Sequence, residues 1–113
     1  MQTDDLEKRA KTEALFREVN ERIAETAKDF DAKRPEFICE CDDPSCTHRV
    51  EASLDEYEEV RADPATFMVV PGHDDEEIER VIALRGGRFV IVEKVQRAVR
   101  NLVRHLNPRA VET

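Results

Sequence analysis

Between Leu6 and Phe30 the apolar residues Phe16, Val19, Ile23, Ala27 and Phe30 recur at spacings of three and four. Charged and polar residues fill the other faces, and no Gly or Pro interrupts the run. That period predicts one long amphipathic helix, ended by Pro35. Its apolar stripe is narrow. It is expected to dock on the rest of the domain or on a partner helix, and docking on its own domain is the simpler reading.

Beyond Pro35 the period shortens. Glu36 to Cys41 reads as a short strand, and Asp42-Asp43-Pro44-Ser45 as a turn, because Asp caps turns and Pro presets φ. Arg49 to Ala52 reads as the returning strand. Ser53-Leu54-Asp55-Glu56 matches a capping box, opening a short helix from Leu54 to Ala62 that stops at Asp63-Pro64. Thr66 to Val70 is β-rich and runs into the sharp turn Pro71-Gly72-His73. Glu79 to Leu84 and Arg88 to Lys94 are apolar, β-branched segments joined through Arg85-Gly86-Gly87, a hairpin signal. The stretch from Val95 to Leu106 is again helical. Val95, Val99, Leu102 and Leu106 form one face, Arg97, Arg100 and Arg104 another, and Asn107-Pro108 ends it.

These elements predict an α+β domain: a long N-terminal helix, a small antiparallel sheet with one short inserted helix, and a C-terminal amphipathic helix. The 113 residues suit one domain over positions 1–113, with helix 5–33, a β-rich middle 36–94 and a basic helix 95–107. A core of this size is where a structural metal adds most.

Charge sharpens the picture. The net charge is −8, unevenly spread. Residues 94–113 hold five Lys/Arg against Glu112, a net +4; residues 1–93 hold thirteen against twenty-five acids, a net −12. An acidic body argues against broad nucleic-acid binding. The C-terminal segment, with Lys94, Arg97, Arg100 and Arg104, is the local exception and the one candidate nucleic-acid surface. The simpler reading is that these cations offset the acidic body, and no aromatic stacking residues accompany them. No apolar run reaches the ~18 residues of a membrane span. The polar start Met-Gln-Thr-Asp-Asp predicts no secretory leader, hence a cytoplasmic, reducing compartment.

In that compartment the stretch Phe37-Ile38-Cys39-Glu40-Cys41-Asp42-Asp43-Pro44-Ser45-Cys46-Thr47-His48 stands out, since it holds all three cysteines. Clustered reduced thiols point to metal or redox chemistry. If the backbone is extended, Cys39 and Cys41 face one side, and the turn can bring Cys46 back to them. Zinc takes four tetrahedral ligands, and thiolates suit it better than they suit magnesium or calcium. Three thiolates with His48 or His73 make a closed Cys3His site. His48 is local, whereas His73 would tie the loop to the 66–70 strand and close a longer loop. Spacing alone leaves both open. The competing readings are three inert buried thiols or a redox switch. Acidic neighbours would raise the thiol pKa values and slow the switch.

The pattern Phe37-x-Cys39-Glu40-Cys41-x4-Cys46, Leu54-x2-Tyr57-Glu58-x-Val60-Arg61-x2-Pro64-x2-Phe67-x-Val69, Pro71-Gly72-His73 and Val92-Glu93-Lys94 resembles a family of small uncharacterised actinobacterial proteins. The resemblance covers about residues 13–94, including Asn20-Glu21-Arg22-Ile23. It implies that the histidine after Pro-Gly recurs while one at the position of His48 does not, which favours His73. It implies no particular activity. The deaminase order of His-x-Glu before Pro-Cys-x2-Cys is absent, as are P-loop, dinucleotide and Gly-x-Ser-x-Gly signatures. The expectation is a non-enzymatic zinc module acting on a protein partner in a regulatory role. Nucleic-acid binding and a redox-responsive zinc switch are the alternatives.

Overall fold

The structure, a computed structural model, describes residues 3–109. The element order is α1 (Thr3–Asp29), β1 (Glu36–Ile38), β2 (Arg49–Glu51), α2 (Leu54–Arg61), β3 (Thr66–Val69), β4 (Glu79–Arg85), β5 (Phe89–Lys94) and α3 (Arg97–His105). This is the expected α+β order. Its β structure comes as two small antiparallel sheets, β1-β2 and β3-β5-β4.

Local chemistry explains the boundaries. The Ser53 hydroxyl accepts the Glu56 N–H at 3.1 Å, and the Glu56 carboxylate accepts the Ser53 N–H at 2.9 Å, completing the capping box of α2. Gly86 and Gly87 both take positive φ (58° and 74°), and the Arg88 N–H donates to the Arg85 carbonyl at 3.0 Å, closing the hairpin with Arg85 opposite Phe89. β5 lies between β3 and β4, and Phe89, Val90, Ile91 and Val92 are all buried, as a central strand demands. The core gathers Phe37, Tyr57, Val60, Phe67, Met68, Ile78 and Phe89, with Phe37 and Tyr57 stacked 4.5 Å apart. α3 contributes Val99 and Val103, with Leu102 and Leu106 partly covered. Val95, assigned from the sequence to the apolar face of that helix, precedes its first turn and is exposed.

α1 departs most from its sequence reading. The buried residues are Ala10, Glu13, Arg17, Asn20, Ala24 and Ala27, which also recur at spacings of three and four. Of the predicted stripe only Ala27 is buried; Phe16 and Ile23 are half-buried, and Val19 and Phe30 are exposed. Small residues let the helix approach closely at its ends. Between them, three polar side chains face the interior, where Lys94 of β5 donates to Glu13, the Thr66 carbonyl of β3 accepts from Arg17, and Ile38 of β1 pairs with Asn20. Polar pairing, rather than an apolar stripe, decides which face docks. Among the described residues no helix is long and apolar enough to cross a membrane.

Candidate metal centre

The site begins where β1 ends. Ile38 pairs with Arg49, and the Cys39 N–H continues the ladder by donating to the His48 carbonyl at 3.0 Å. Extended backbone there alternates its side chains, so Cys39 and Cys41 face one way and Glu40 the other. The Asp43 carboxylate then accepts from the Ser45 N–H (2.9 Å) and hydroxyl (2.7 Å), and the Asp43 carbonyl accepts from the Cys46 N–H (3.0 Å). This local turn chemistry folds Cys46 back over the other two thiols.

His73 arrives from β3. The His73 N–H donates to the Val70 carbonyl at 2.9 Å, and Gly72 takes φ +89°. Pro71 followed by a positive-φ Gly72 is the sequence requirement of a type II turn. A side chain at Gly72 would be strained in that conformation. The turn delivers the ring so that Nδ1 lies 3.6 Å from Cys39 Sγ and 3.7 Å from Cys46 Sγ.

The four ligand atoms of Cys39, Cys41, Cys46 and His73 lie within 4.8 Å of one another. Zinc–sulfur and zinc–nitrogen bonds in a tetrahedron set ligand–ligand edges of about 3.6–3.8 Å, so the group is already close to tetrahedral spacing. Cys39 and Cys41 are buried and Cys46 is partly exposed, all as free thiols. The Val70 N–H donates to Cys39 Sγ at 3.2 Å. A backbone donor of this kind stabilises negative charge on sulfur and fixes its position. Hydrogen bonding from Cys39 pulls Cys41 down to about 5. Cys39 moves up, because its proton is held against Cys41 and because it is buried. Burial pushes Cys46 up as well. The thiols thus share protons where a cation would replace them. His48 is not in the group. It is exposed, and its ring meets His73 edge-on with centroids 4.7 Å apart.

On the other side of the strand, Glu40 is fully buried and enters a polar network. The Glu40 N–H donates to the Met68 carbonyl (2.8 Å), and the Glu40 carboxylate accepts from the Met68 N–H (3.1 Å) and the Asn20 amide (2.8 Å). Asn20 also brackets Ile38, donating to its carbonyl (3.0 Å) and accepting its N–H (2.8 Å). The Arg17 guanidinium lies 3.5 Å from Glu40, donates to the carbonyls of Pro64 and Thr66, and stacks 3.7 Å over the Phe67 ring. Next to it, Lys94 donates to both Glu13 and Glu79. Burial pushes Glu13 up to about 8. The sequence reading assigned no role to Glu13, Arg17, Asn20 or Glu79. One signal was present: the three/four spacing that joins Glu13, Arg17 and Asn20 to Ala10, Ala24 and Ala27.

That network also engages part of the basic C-terminal segment. Lys94 is 0 % exposed and held between two carboxylates, so it offers nothing to a phosphate. The Arg100 guanidinium donates to the Lys94 carbonyl at 2.9 Å and lies 3.6 Å from Glu93. Arg97 and Arg104 alone of the four are exposed. The acidic majority captured the cations first, because a buried or half-buried carboxylate needs a counter-charge more than the surface needs one. No protein family, curated protein or solved structure matches the chain.

Proposed function

We propose that Cys39, Cys41, Cys46 and His73 form a structural zinc site in a non-enzymatic cytoplasmic module that works through protein–protein contact in a regulatory role. The observation that carries this reading is the gathering of three sulfurs and one imidazole nitrogen within 4.8 Å from two separate segments. Sulfur-rich donors suit zinc, and a structural site uses four protein ligands where a catalytic one keeps a position open. Four side chains leave no vacant position, and Glu40, which lies between two of the cysteines in sequence, faces away into the Arg17 network. The zinc ties the loop 39–46 to the turn after β3. Cys46 is the one partly exposed thiol, and this favours a second reading, zinc release after a hydroperoxide oxidises that sulfur.

The test is elemental analysis with native mass spectrometry on the purified chain and on His73→Ala, His48→Ala and Cys46→Ser. One zinc per chain is expected in the wild type and in His48→Ala, and loss of stoichiometric zinc in the other two. Zinc-free wild type with three freely alkylated thiols would sink the reading.

A further inference from the structure

We infer that the outward stripe of α1 is a self-association surface, on which a second copy of this chain docks its own α1 in antiparallel order. This stands on α1 alone and does not depend on the metal.

Beside the docked face of α1 runs a second stripe, half-buried at Phe16 and Ile23 and exposed at Val19, Thr26 and Phe30. Phe16, Val19, Ile23, Thr26 and Phe30 are spaced three, four, three and four, the a/d pattern of a helix-pairing seam. Phe30 is 80 % exposed and Val19 39 % exposed, a high cost in water for a fixed apolar row. The seam borders an open groove lined by Val19, Ile23, Thr26, Phe30, Ala32 and Pro35. A groove of that chemistry accepts an aromatic ring.

Charge selects the occupant. Arg22 and Asp29 flank the stripe on the same side, one heptad apart, and both are exposed. Neither enters an ion pair among the described residues, whereas their neighbours Glu21 and Lys28 do. A two-fold axis crossing α1 between Ala24 and Glu25 sets Phe30 on Val19 of the second copy and Ile23 on Thr26. The same register sets Arg22 beside Asp29 of the second copy, twice over by symmetry. A parallel pair would instead set Arg22 beside Ala27 and leave its charge without a partner across the seam. One arrangement therefore seats both aromatic rings in the two grooves and neutralises both flanking charges, using a single chain sequence.

The experiment is sedimentation equilibrium of the full zinc-loaded chain over a range of concentrations, with circular dichroism and zinc content as checks on folding. A reversible dimer is expected. Arg22→Asp and Asp29→Arg should each weaken it by about tenfold, because each places like charges in contact twice, and combining them should restore it to within about threefold. Val19→Asp should abolish it. All of these positions are exposed, so the fold and the zinc content should stay unchanged. A wild type that is monomeric at every concentration would overturn the inference and leave the groove to a different protein. A dimer indifferent to Val19→Asp and to both reversals would overturn it too, and would point to another surface, such as the exposed Val81, Ile82 and Leu84 of β4.

Discussion

The strand segment Cys39-Glu40-Cys41 has two sides built from opposite chemistry. On one side two thiols meet Cys46 and His73 in a group fitted to a soft cation. On the other a single carboxylate meets Arg17, Asn20 and the Met68 N–H. Both sides fasten the same backbone to β3, one through the turn at His73 and one through Met68. They differ in what supplies the missing charge. On the proposed reading the thiol side needs an ion from solution, and so its strength would depend on the metal and on pH. The carboxylate side carries its own cations, Arg17 and Lys94, and is complete as soon as α1 docks. Fold assembly and metal loading would then be separable, with the helix organising this segment before an ion arrives.

Breaking the thiol side should have the largest effect. Cys41→Ser removes one ligand and, through it, the free energy of zinc binding. A loss of about 5 kcal/mol or more relative to the zinc-loaded wild type is expected in chemical denaturation. A variant of unchanged stability and zinc content would show that the cluster is only three packed thiols. Breaking the far end of the carboxylate side comes next. Lys94→Met leaves Glu79 buried without its cation and Glu13 without its donor, and about 3–5 kcal/mol should be lost while the chain still takes up one zinc. Equal zinc loss in both variants would mean that the two sides do not act separately.

A milder change sharpens the contrast at the strand itself. Glu40→Gln keeps an acceptor for Met68 or Asn20 but removes the charge facing Arg17. It should cost about 2 kcal/mol with zinc affinity unchanged, as read by competition with a chelator. The last contrast is a pH slope. Glu13, raised to about 8, keeps its proton in the folded chain over a range where the unfolded chain, with the ordinary value of 4.5, has released it. The folded state binds more protons there, so stability contributed by this group falls as pH rises from about 4.5 to about 8. Glu13→Gln cannot titrate and should flatten that slope in denaturation series at saturating zinc. A slope identical to wild type would remove Glu13 as its source.

These contrasts bear on how readable the molecule is. The turns and caps were legible because their chemistry is local. Ser53 with Glu56, Gly86-Gly87 and Pro71-Gly72 each solve a backbone problem within four residues, and the structure places them as expected. The cysteines were legible because thiols so close in a chain have few other uses. Between His48 and His73 spacing could not choose. Distance along the chain favours His48, but the type II turn aims His73 at the sulfurs while His48 stays at the rim. The face of α1 was misread because the helix carries two stripes of the same period. Counting apolar residues picks the outward one, whereas the interior selects the one whose polar groups have partners.

The sequence by itself determined the order of elements, the hairpin, the capped helix α2 and three of the four members of the candidate metal group. All of these depend on interactions between near neighbours, or on residue types with narrow chemistry. Tertiary structure decided the fourth member, the docked face of α1 and the fate of Lys94. Each of these joins groups far apart in the chain, such as Lys94 with Glu13 and Asn20 with Glu40. A buried charge is tolerable only where folding has assembled its counter-charge, and no local pattern records where that will be.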